Sequence, residues 1–277
     1  MRNEDFLEHT FSKWMRSNLK DAYRGLITQD VDFVIIEDQK ILFIEEKNSK
    51  NARIGPAQKI IFKMFSDLLE GNRFFNYVFD GISTVYVTNE ITLEELMLEI
   101  KNNKMKKFTI EKEIFNRLWD CKGDSIIKKT ERERSGYRDS ISKKIFNKYE
   151  YITNPPQRYV EKIDWIFLNY CTGYFIFIEE KINNESNLIH KRRNFIRVID
   201  NVFTLASNIN KLQKRAKNPK SEVLYEYLGY YKIVFSKTNP DNSDSIYLNN
   251  TKIKKSHLIE LLNLDTNEIL KYRLKFC

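Results

Sequence analysis

Two stretches of the chain place acidic and basic side chains where they can act together on a phosphate. In the first, Asp32 opens the apolar run Phe33-Val34-Ile35-Ile36, and Ile41-Leu42-Phe43-Ile44 leads into Glu45-Glu46-Lys47. In the second, Asp164 opens Trp165-Ile166-Phe167-Leu168, and Tyr174-Phe175-Ile176-Phe177-Ile178 leads into Glu179-Glu180-Lys181. Short runs of branched and aromatic residues bounded by polar turns predict strands. Strand side chains alternate faces, so Glu45 and Lys47 share one face and Glu46 takes the other, as do Glu179 and Lys181 against Glu180. If each Asp-led strand pairs antiparallel with the next, its beginning lies beside its neighbour's end. Asp32 then meets Glu45 and Lys47, and Asp164 meets Glu179 and Lys181. Paired carboxylates offer the hard oxygen ligands that Mg²⁺ takes. A bound ion acidifies a water and offsets charge on a phosphate, and an adjacent ammonium can orient or deprotonate the attacking water. The expected reaction is phosphodiester hydrolysis.

The elements around these stretches recur in the same order. Phe6, Leu7, Phe11, Trp14, Met15 and Leu19 predict an amphipathic helix over 3–19. Gly55-Pro56 opens a helix whose apolar side is Ile60, Ile61, Phe62, Met64, Phe65, Leu68 and Leu69, ending at Gly71. A strand is expected over 83–87, and Thr92 with Glu95 forms a capping box for the helix after it. In the second half, helices are expected over 137–148 and about 187–215, and strands over 230–235 and 245–248. Ser256 is expected to cap a last helix through Leu262. Lys47 and Lys181 lie about 134 residues apart, too long a period for a solenoid. The pattern predicts two similar α/β domains, 1–120 and 121–277, joined through a polar stretch over about 119–138 that contains KKTERER.

The segments VDFVII…ILFIEEK and IDWIFL…YFIFIEEK resemble the core of the PD-(D/E)xK, or restriction-endonuclease-like, nuclease superfamily, here in two tandem copies. The resemblance implies that each half is a central mixed β-sheet flanked by helices. It implies metal binding by Asp32 and Glu45 with Lys47 assisting the water, and by Asp164 and Glu179 with Lys181. It further implies a role for Gln58, in the helix after the first ExK, and a metal-ligating Glu8 in the first helix. The implied cofactor is Mg²⁺, with Mn²⁺ able to substitute, and the implied substrate is DNA rather than RNA. The chain departs from the pattern in places. Val31 and Ile163 precede the two Asp residues where the pattern has proline, and Asp30 competes with Asp32. Arg192 lies eleven residues after Lys181, where the first copy has Gln58 eleven after Lys47. The first copy is therefore the surer catalytic site. The alternatives are one active half beside a degenerate scaffold or DNA-recognition half, and a non-catalytic nucleic-acid-binding protein of the same fold.

Composition fits such a partner. The chain has 277 residues, a formal net charge of +9 and 42% apolar residues, enough for a sizeable core and a basic surface that attracts polyanions. Lys191, Arg192 and Arg193 begin the helix after the second ExK and are the leading candidates for phosphate-backbone contacts. Tyr225, Tyr227, Tyr230 and Tyr231 suit either base stacking or the core, and aromatic residues beside a strand favour the core. His9, His190 and His257 have no metal-ligand spacing, and neither a GxxxxGK[ST] loop nor a GxSxG elbow occurs. Cys121, Cys171 and Cys277 form no CxxC pair, which points to free thiols. The start MRNEDFLEHTF lacks the apolar core of a signal peptide, and no apolar run approaches a membrane span. A soluble, cytoplasmic protein with no membrane partner is expected, and a monomer could work as an internal pseudo-dimer.

Overall fold

The computed structural model describes residues 10–37, 40–47, 53–70, 78–86, 159–182, 190–237 and 240–273. Glu8, the capping box at Thr92, the helix expected over 137–148 and the linker expected over 119–138 lie outside them. The fold is mixed α/β, with a mixed β-sheet flanked by helices. The chain divides into two compact units that do not follow its two halves.

The first unit contains the first Asp-led strand pair. Strand β1 (Leu26–Glu37), which enters this unit at Asp32, pairs antiparallel with β2 (Lys40–Lys47). The register sets Phe33 opposite Ile44 and Ile36 opposite Ile41. Both runs are buried along their length, from Phe33 to Ile36 and from Ile41 to Ile44. A third strand, β3 (Val78–Tyr86), lies next to β2 and is longer than the expected 83–87.

The second unit is built around β4 (Tyr159–Asn169) and β5 (Tyr174–Ile182), again antiparallel, with Trp165 opposite Ile178. Helix α3 (His190–Gln213) then crosses over, so that β6 (Glu226–Phe235) returns parallel to β5. Two short antiparallel strands, β7 (Ile246–Leu248) and β8 (Thr251–Ile253), complete the order β4-β5-β6-β7-β8. The β4–β5 turn depends on Gly173. Its φ is +77°, and a Cβ there would lie 2.1 Å from the Leu224 carbonyl oxygen, so only glycine fits.

Alternation along β5 sends its side chains to two cores. Ile176 and Ile178 join Phe11, Trp14 and Met15 of α1 (Thr10–Asn18) and Leu258, Leu261 and Leu262 of α4 (Lys255–Leu262). Phe175 and Phe177 face Phe203 of α3, and Phe65 of α2 (Pro56–Leu69) stacks edge-on to Phe177 at 5.9 Å. Helices from early in the chain thus complete the core around strands from late in it, and burial of these aromatic faces is the main stabilising term.

Two helix ends differ from expectation. Helix α2 ends at Leu69, where Glu70 turns to extended backbone, and Arg215 donates to the carbonyls of Asp67 (3.4 Å) and Glu70 (2.9 Å). Helix α4 starts at Lys255 with Lys254 as its cap and no side-chain cap bond, so Ser256 sits inside the helix. The chain passes from β8 into the helix after a single residue, which fixes the start earlier than Ser256.

Candidate functional site: two Asp-Glu-Lys strand pairs

The same register governs both strand pairs. The ladder of the first pair ends with Phe33 opposite Ile44, and its continuation by one step would set Asp32 opposite Glu45. The ladder of the second ends with Trp165 opposite Ile178, and the same step would set Asp164 opposite Glu179. Directly opposed residues of an antiparallel pair share a face, so that continuation would put each Asp on the side of its Glu.

In the first pair, Glu45 is buried, at 4% exposure, where the apolar run of β2 ends, and Asp32 is half-buried. Lys47 is the last residue of β2. Asp30 is exposed and accepts a hydrogen bond from the Gln29 amide at 2.8 Å. Gln58 is the third residue of α2 and is buried. Its side-chain oxygen accepts the Gly55 N–H at 3.1 Å, which caps the helix.

The second pair is a closed ionic cluster. Glu179 is 2% exposed, and the guanidinium of Arg192 grips it through Nε, at 3.2 Å from Oε1 and 3.0 Å from Oε2, and through Nη2 to Oε2. Lys181 Nζ lies 2.7 Å from Oε1. The Tyr230 hydroxyl donates to Oε2 at 3.2 Å and accepts from Arg192 Nη2 at 3.3 Å. Burial pushes the Glu179 carboxyl up, but the charges and hydrogen bonds of Arg192, then of Lys181, outweigh it and hold the group below its ordinary value. Burial raises the Tyr230 phenol well above its ordinary range; Arg192 opposes that, and the Glu179 and Asp164 charges add to it, so Tyr230 stays a neutral donor. Glu180, on the other face, accepts from Trp165 Nε1 at 3.1 Å, and its own N–H donates to Asp164 Oδ2 at 3.1 Å.

Helical phase explains why Arg192 is there. The buried stripe of α3 runs through Phe195, Ile196, Ile199, Val202, Phe203 and Ala206, and Arg192 lies one turn before it on the same side. On β5 the matching face runs from Phe175 and Phe177 to Glu179. Where both apolar stripes end, a buried anion meets a buried cation, and Arg192 also lies over the Phe195 ring at 5.2 Å.

This placement separates the three basic residues read together in the sequence. Arg192 is turned inward and spent on Glu179, whereas Arg193 and, one turn on, Arg197 are exposed. Lys191 lies in the first turn of α3. The four tyrosines weighed for base stacking are all buried, from Tyr230 and Tyr231 at 0% to Tyr227 at 4%, so they belong to the core. Strand β6 is paired on both edges and covered on both faces, which leaves its side chains no route to a base. Sequence reasoning missed Tyr230 as a donor to Glu179. It also missed the cluster in which Asp200 accepts the Tyr230 N–H at 3.1 Å and an Nη2 bond from Arg273 at 3.0 Å.

Among the described residues no group of three or more His, Cys, Asp or Glu side chains is gathered to hold a metal. No helix among them is long and apolar enough to cross a membrane. Sequence comparison finds two similar proteins in Archaeoglobus fulgidus, both bearing the name "uncharacterized protein". One is 50% identical over 152 residues, covering 52% of this chain and 93% of the relative. The other is 37% identical over 131 residues, covering 41% of this chain and 90% of the relative. No protein-family model matches the chain, and no solved structure does.

Proposed function

We propose, taking as premise that the chain belongs to one family with these two Archaeoglobus fulgidus proteins, that it is a Mg²⁺-dependent nuclease whose working site is the first strand pair. The observation that supports this reading is the antiparallel register ending at Phe33 and Ile44, which continued by one step would set Asp32 opposite the buried Glu45 at the end of an apolar strand. A donor set of two opposed carboxylates fits a hard divalent cation, so Asp32 and Glu45 would hold Mg²⁺, with Mn²⁺ able to substitute. When bound, the ion supplies positive charge against a phosphate and lowers the pKa of water.

The rest of the work falls to the chain's own groups. Glu45 is buried where the apolar run of β2 ends. Lys47, two residues on at the end of β2, would be the group to orient or deprotonate the attacking water and to offset charge on phosphorus. Gln58 is held at the start of α2 by its bond to Gly55 N–H. The basic balance of the chain and the exposed Arg193 and Arg197 suit a phosphate backbone, with DNA preferred to RNA on the family resemblance.

The test is cleavage of supercoiled, linear, branched and single-stranded DNA in Mg²⁺, with an EDTA control. Glu45→Gln and Lys47→Ala should each lower the rate about a hundredfold or more while the circular dichroism spectrum is kept. Cleavage at the wild-type rate in both variants would remove this site.

A further inference from the structure

The second strand pair repeats the register of the first but does not fit a metal. A divalent ion bound by Glu179 needs its carboxylate oxygens, and both are taken. Arg192 Nε reaches Oε1 at 3.2 Å and Oε2 at 3.0 Å, Lys181 Nζ reaches Oε1 at 2.7 Å, and the Tyr230 hydroxyl reaches Oε2 at 3.2 Å. The Glu179 side chain is 2% exposed and that of Arg192 10%, so both are largely shielded from solvent.

We propose that Arg192 is a built-in replacement for a divalent cation, so that the second strand pair is a charge-locked copy that holds its architecture without metal. A buried carboxylate needs a compensating positive charge, because an isolated one in a low-dielectric interior is far too costly. An ion taken from solution can meet that need, and so can a guanidinium delivered by the neighbouring helix, whose planar fork matches a carboxylate. Arg192 is the third residue of α3 and lies eleven after Lys181; Gln58 is the third residue of α2 and lies eleven after Lys47. At equivalent places, the second half carries a fixed cation and the first a neutral amide. Asp164 lies one step beyond the pairing of Trp165 with Ile178, so the second half carries both carboxylates of the motif together with a fixed cation.

The inference concerns metal occupancy of the second pair and stands whether or not the first pair is catalytic. It is tested by counting bound Mn²⁺ on the full chain by electron paramagnetic resonance, for wild type, Arg192→Gln and Arg192→Lys. Arg192→Gln, which installs the residue of the first half, should bind one more Mn²⁺ per chain than wild type. Arg192→Lys keeps the charge and should bind no more than wild type. Wild-type stoichiometry in Arg192→Gln would overturn the proposal, as would loss of one Mn²⁺ from wild type on introducing Glu179→Gln. If Arg192→Gln does not fold in metal-free buffer, Mn²⁺ should restore its native circular dichroism spectrum, and failure to restore it would also overturn the proposal. Loss of Mg²⁺-dependent cleavage in Glu45→Gln reports on the first pair alone, so the two readings fail separately.

Discussion

Replacing Arg192 with Met would strip the buried Glu179 carboxylate of its main counter-charge while filling a similar volume. Removing one partner of a buried ion pair costs about 3–5 kcal/mol, whereas replacing both with well-packed apolar residues is often about neutral or stabilising. Both side chains are buried deeply enough for the buried-pair figure to apply, at 10% and 2% exposure. Lys181 keeps its 2.7 Å contact and is itself 30% exposed, which draws the cost toward the lower end, about 3 kcal/mol. At about 2–4 °C per kcal/mol for a unit of this size, Arg192→Met should lower Tm by roughly 6–12 °C. Glu179→Met should fall by a similar amount, because it leaves the guanidinium buried. The double variant should recover most of the loss, which a double-mutant cycle reads as a coupling of several kcal/mol. The assay is thermal and urea unfolding of all four proteins at pH 7. Single losses below about 1 kcal/mol that simply add would match an exposed ion pair and refute the reasoning.

The same pair predicts a pH dependence. Glu179 titrates below its ordinary value when folded, so its contribution is complete above the unfolded carboxylate value of 4.5 and is lost as pH falls through the folded value. The deficit of Arg192→Met relative to wild type should therefore narrow on acidification below about pH 4.5, and a constant gap would contradict the assignment. Gly173→Ala should cost at least about 1–3 kcal/mol, because its φ of +77° and the Leu224 carbonyl both oppose a Cβ; unchanged Tm would show that the turn rearranges freely. Phe177→Ala should cost about 3–5 kcal/mol, since its ring is fully buried among Phe65, Phe203, Tyr227 and Tyr230; a loss under about 1 kcal/mol would mean that this core collapses around the gap.

Much of this protein is local, and local features can be read from residue order. The apolar runs of β1, β2, β4 and β5, each bounded by polar residues, name their own strands. Two strands joined by a short connection pair antiparallel, so the pairing of the two strands in each half follows from spacing alone. The stripe on α3 is equally visible, because a 3.6-residue period is a property of one segment. Arg192 belongs to that stripe by phase, at one turn before Phe195 and Ile196. It reads as part of a solvated basic trio only because its partner, Glu179, lies outside its own segment.

What the residue order leaves open is set by contacts between distant segments. No local pattern says that β6 is an inner strand, so its tyrosines can only be assigned to the core by the general habit of aromatic residues beside a strand, and base stacking stays open until the neighbours of β6 are known. Nor does any pattern say that Phe11 packs on Phe235, or Phe65 on Phe203, across about half the chain or more. Whether an Asp-Glu-Lys strand pair takes its positive charge from solution or from an arginine is decided in the same way. The cost of burying a carboxylate depends on everything around it, and only the packed helix brings Arg192 to Glu179.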